Sequence, residues 1–159
     1  MMKARVAFCA VLCAGLLTLG ACGTVHDVNT TSTGKGTCST SSVDISKAGI
    51  NNGVLTFTSS QSPNSSIKVQ IATDKGQASV IGSVPGADSG IKAIGADGKQ
   101  VQLEDAKTTS RPVSNGAEMT TTAKIKQLGL SGSLQSLTFT RLDADSGNQT
   151  GEGCTIHIK

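Results

Sequence analysis

The chain has 159 residues, a formal charge of +3 and a hydrophobic share of 36%. That length suffices for one domain with a real core, and the small net charge gives no reason to expect nucleic acid or a strongly acidic surface as partner. Trp and Tyr are absent and Phe occurs three times, which disfavours recognition by stacking several exposed rings on sugars or bases.

In chain order, Met1-Met2-Lys3-Ala4-Arg5 is a basic opening, and Val6 to Thr18 is an uncharged apolar run. The run is too short to span a membrane comfortably as a mature helix, and small residues close it, which is the layout of a secretory signal. Cys9 and Cys13 lie inside the run as small apolar residues. Leu19-Gly20-Ala21-Cys22 resembles the lipobox of bacterial lipoproteins. The resemblance implies that the Cys22 thiol carries a diacylglycerol and that the chain is cut just before it. It implies removal of residues 1–21, and with them of Lys3 and Arg5, so that the formal charge falls from +3 to +1. Each buried lipid methylene contributes about 0.8 kcal/mol, so two or three acyl chains hold a protein firmly at a membrane. The expected location is the bacterial cell envelope, anchored to the outer membrane or to the outer face of the cell membrane. Gly23 stands where an Asp often retains Gram-negative lipoproteins at the inner membrane.

Residues 22–37, rich in Thr, Ser, Gly and Asn, read as a lipidated cysteine followed by a flexible tether. Residues 38–159 form the expected domain. Cys38 and Cys154 are the cysteines left to it, and in a translocated protein an even pair reads as one disulfide. Closing a loop of that length restricts the unfolded chain by roughly 4 to 5 kcal/mol in the loop-entropy model.

The domain shows period-two alternation far more than helical spacing. Val54–Thr58, Ile67–Ile71, Ala78–Val84, Ile91–Ile94, Val101–Leu103, Leu137–Thr140 and Cys154–Lys159 predict strands, with Asn52-Gly53 and Asp97-Gly98 as hairpin turns. Glu118–Leu128 alternates as a strand, although Gly129 could cap a short helix at its end. About eight short strands separated by Gly, Ser and Asp turns predict an all-β fold, a small antiparallel sandwich or a partly open barrel with one disulfide. A lipobox (Leu19–Cys22), a Thr/Ser/Gly tether (Asn29–Gly36), Cys38 near the first strand and Cys154 near the C-terminus give a layout similar to the mycobacterial 19-kilodalton lipoprotein antigen family. In that family the last cysteine sits almost at the terminus, whereas here Cys154 is followed by five residues.

Candidates for chemistry are few. Of the two histidines, His26 falls in the tether, and His157 alternates with Ile156 and Ile158, which turns it to solvent. Neither a Gly-x-Ser-x-Gly elbow nor a Ser-x-x-Lys motif is present. Asp143-Ala-Asp145-Ser-Gly147-Asn148 begins like a calcium loop, but an EF-hand needs Gly at 148 and Glu at 154. With or without Glu152, it reads as a polar turn. Lys124 and Lys126 make a basic edge, Glu104, Asp105, Lys107 and Arg111 mixed loop charge, and Ser110–Gly116 a loop of the kind inhibitors present. The sequence predicts no enzyme, metal or cofactor. It predicts an anchored envelope lipoprotein whose β-domain binds another envelope component or a host protein. The alternatives are a carrier of an apolar ligand such as a lipid, and an inhibitor of a secreted hydrolase.

Overall fold

The computed structural model describes residues 25–28, 35–61, 64–82 and 91–158; Cys22 and the N-terminal basic and apolar stretch lie outside them. The described strands are β1 (Val25–Val28), β2 (Lys35–Ser39), β3 (Asp44–Asn51), β4 (Val54–Gln61), β5 (Ser65–Thr73), β6 (Gly76–Ile81), β7 (Lys92–Ile94), β8 (Gln100–Val101), β9 (Lys107–Val113), β10 (Gly116–Lys124), β11 (Leu134–Asp143) and β12 (Gly153–His157). Five of them form one sheet in the order β9-β10-β4-β3-β2, and seven form a second in the order β1-β12-β11-β5-β6-β7-β8. Neighbouring strands are antiparallel except β1, which runs parallel to β12. The sheets pack face to face, giving the expected antiparallel sandwich.

Alternation places one side of each strand inside. Leu55 and Phe57 of β4 and Met119, Thr121 and Ala123 of β10 face Ile67, Val69 and Ile71 of β5, with Leu137 and Phe139 of β11 and Ile156 of β12; all are buried. Phe57 meets Phe139 across the sheets edge to face, with ring centroids 5.5 Å apart, a favoured geometry for an aromatic pair. At the β3–β4 turn both Asn52 (φ 52°) and Gly53 (φ 74°) adopt the left-handed conformation, as a two-residue hairpin turn with matching twist requires.

Four strands went unread in the sequence, and each has a physical reason. In β3 a bulge between Ile45 and Lys47 shifts the register, so the buried residues Ile45 and Ala48 are three apart and the period of two is broken. Strand β9 is polar and exposed at six of its seven positions, so it has no apolar face to alternate. It borders the five-stranded sheet, where Lys107, Arg111 and Pro112, which lacks a backbone donor, blunt the edge against further pairing. Strand β1 and the first three residues of β2 (Lys35–Thr37) fall within residues 22–37, the stretch expected to be tether; their backbones pair with β12 and β3. The Glu118–Leu128 stretch divides: alternation holds to Lys124, and Ile125–Leu128 then forms a 3-10 turn capped by Gly129 at φ 69°.

Phe57→Ala leaves a void between the sheets and is expected to lower unfolding free energy by about 3–5 kcal/mol in urea titrations. Thr109→Ala on the exposed edge strand is expected to stay within about 0.5 kcal/mol of the parent.

Candidate functional site

Cys38 of β2 and Cys154 of β12 are joined as a disulfide, with Cα atoms 6.0 Å apart, so the covalent link ties one sheet to the other. Both cysteines are buried. His157 is exposed on β12 and His26 lies in β1. They sit on adjacent strands, but His26 pairs opposite Cys154 rather than His157. Among the described residues no three His, Cys, Asp or Glu side chains cluster as a metal site, and no helix is long and apolar enough to cross a membrane.

The Asp143–Asn148 stretch is a hydrogen-bonded turn. Asp143 Oδ2 accepts from the Ser146 backbone N–H (3.0 Å) and hydroxyl (2.8 Å), and the Asp143 carbonyl accepts from Gly147 N–H (2.7 Å). The Ser146 hydroxyl, and then its backbone N–H, hold the Asp143 carboxyl below the usual carboxylate range. Lys124 Nζ lies 2.9 Å from Asp105 Oδ2; this hydrogen bond, followed by the attraction of the charge, lowers the Asp105 pKa. Arg111 bonds Glu118 across the β9–β10 pair at 2.6 Å, which raises its already high pKa. These are exposed ion pairs, screened by water and of small weight for stability. Lys126 lies in the 3-10 turn, so the two lysines do not form one strand edge. Ser110–Val113 belongs to β9, and the loop expected after it is a two-residue turn, Ser114-Asn115.

That turn borders a groove of about 350 Å³ at one end of the sandwich. The β2–β3 loop supplies Thr40, Ser41 and Ser42, β3 supplies Asp44, the end of β4 supplies Ser60 and Gln61, the β9–β10 hairpin supplies Val113 to Asn115 and Ala117, and β11 supplies Arg141. Thr40 shapes the first wall: its hydroxyl accepts from the Ser42 and Val43 N–H groups and donates to the Glu152 carbonyl (3.0 Å).

The floor follows from strand alternation carried past the apolar core. On β4 the inward series Leu55, Phe57 continues as Ser59 and Gln61, both buried. Ser59 Oγ donates to Gln61 Oε1 (2.8 Å), and Gln61 Nε2 to the Ser65 carbonyl (3.1 Å). On β11 the inward series Leu137, Phe139 continues as Arg141, half-buried and paired opposite the buried Ile67. Arg141 Nε donates to Thr150 Oγ1 (2.9 Å), and its carbonyl accepts from the Thr150 N–H (2.9 Å). Arg141, Ser59 and Gln61 go unread in the sequence because the predicted strands end at Thr58 and Thr140, one residue past the last aromatic side chain. The signal was available: polar residues occupy inward parity in unbroken strands.

No protein-family model matches the chain, and no curated protein or solved structure shows significant similarity to it.

Removing the disulfide with Cys38→Ser and Cys154→Ser together is expected to destabilise the fold by about 2–5 kcal/mol, seen as a thermal midpoint lower by about 10 °C or more. A second expectation concerns acid. Because its folded pKa is depressed, Asp143 stabilises the fold above its unfolded pKa, and the contribution fades as pH falls through the folded value. Ser146→Ala is expected to raise the Asp143 midpoint in carboxyl NMR titrations, and the stability difference from the parent is expected to shrink at low pH.

Proposed function

We propose that this protein is a lipid-anchored lipoprotein of the bacterial cell envelope, and that its β-sandwich is a non-catalytic binding domain presented from the membrane. The anchor reading rests on the order of basic start, apolar run and Leu19-Gly20-Ala21-Cys22. The binding reading is carried by one observation: among the described residues Phe57, Phe139 and aliphatic side chains form a buried core between the sheets, which gives way at one end to a groove lined largely by Ser, Thr, Asn, Gln, Asp and Arg residues. A groove with that lining supports contact with a partly polar partner at that end as the first reading, ahead of carriage of a lipid between the sheets. Display in this sense needs no chemistry: acyl chains fix the location and the groove and loops make the contacts.

Growth with a labelled fatty acid tests the anchor. The parent is expected to take up label and Cys22→Ser to lose it; equal labelling of both overturns the anchor. Native mass spectrometry after mild extraction tests the cargo alternative. A mass equal to the acylated chain keeps display ahead of carriage, and a stable additional lipid on the folded domain overturns display in favour of carriage.

A further inference from the structure

We propose that the end groove binds the free carboxylate terminus of a peptide, with Arg141 as the residue that receives the carboxylate. The proposal deepens the reading of the domain as a binding module and rests on it.

The first argument is the placement of the charge. Arg141 sits at an inward position of β11, two residues after the fully buried Phe139, and is half-buried. A guanidinium is always charged, and holding one partly out of water without a counter-ion is unfavourable. Arg141 takes part in neither of the ion pairs described above, Arg111–Glu118 and Lys124–Asp105. Its described hydrogen bond uses Nε alone, to the neutral Thr150 hydroxyl. That bond fixes the guanidinium plane and leaves the two Nη groups for a ligand. A fixed planar fork with spare N–H donors matches a carboxylate better than a solitary neutral acceptor.

The second argument is the company it keeps. Ser41, Ser42, Ser60, Ser114 and Asn115 line the groove, a set of residues able to supply donors and acceptors for peptide amide groups beside the carboxylate. Val113, 41% exposed, offers an apolar contact suited to a small aliphatic side chain. Asp44 enters from the opposite sheet, so an anion is directed to the Arg141 side of the groove. An acidic sugar would share the carboxylate, but it gains much of its affinity by stacking on rings, and both Phe57 and Phe139 are wholly buried.

The test is calorimetric titration of the full chain in mild detergent with N-acetyl-L-alanyl-L-alanine, its C-terminal amide, and galacturonate. The acid is expected to bind at least tenfold more tightly than the amide or galacturonate, and more weakly as salt rises. Arg141→Gln is expected to weaken the acid about tenfold while leaving the amide unchanged, and Arg141→Lys to fall between. Ser114→Trp, on the exposed turn, is expected to abolish binding with Arg141 intact, which keeps the test decisive if Arg141→Gln fails to fold. Acid and amide bound alike overturns the carboxylate assignment and leaves a binding module. Galacturonate bound more tightly than the peptide acid overturns the peptide. Equal binding of the acid by the parent, by Ser114→Trp and by whichever Arg141 variants fold overturns the site. No binding of any probe overturns the proposal, and the fatty-acid labelling of Cys22 judges the anchored reading independently.

Discussion

Phe57 and Phe139 are the two rings of the described domain, and they meet each other across the sheets at 5.5 Å. A domain built largely from Val, Ile, Leu and Ala has few large side chains with which to hold two sheets at core spacing. The ring pair supplies that volume at the centre, and smaller aliphatic residues close the space around it. The fit extends to the backbone. Gly82, just after β6, lies so close that a Cβ there would come within 3.0 Å of Thr121 Oγ1 and 3.6 Å of the Phe57 ring. Interiors packed to this density feel the addition or removal of a methyl group.

From that centre toward one end, strand geometry stays constant while the chemistry of the inward side chains changes. Along β4 they pass from Leu55 and Phe57 to Ser59 and Gln61, and along β11 from Leu137 and Phe139 to Arg141. Buried polar groups require partners, and Ser59, Gln61 and the Ser65 carbonyl satisfy one another. Arg141 is only partly satisfied, by Thr150. The groove is therefore a continuation of the core by other residues, and strands rather than loops position its floor. Such a floor is stiffer than the turn Ser114-Asn115 at its rim, and stiffness lowers the entropy a ligand must overcome.

Much of this fold was legible in the sequence. Alternation at Ile67–Ile71 and Leu137–Thr140 located the two central strands of the larger sheet, and Asn52-Gly53 gave a hairpin turn because both residues tolerate positive φ. Cys38 and Cys154 pointed to each other through their number and the expected compartment. Less legible was what pairing in three dimensions imposes on polar sequence. Strand β9 is held by its neighbour β10 rather than by an apolar face, and the β3 bulge hides its periodicity. The groove escaped for a related reason: its residues come from four separate stretches, and only the packing of the two sheets reveals that Gln61 and Arg141 share one end.

Cys38 and Cys154 enclose nearly every turn of the sandwich within a single covalent ring. A protease that cuts one peptide bond anywhere between them opens the ring without freeing a fragment, because both pieces remain joined through sulfur. The nicked molecule keeps its mass, apart from one added water, and stays attached to whatever holds residues before Cys38. Separating the two pieces then requires a reductant, so the same bond that ties the sheets together also sets how the domain wears out.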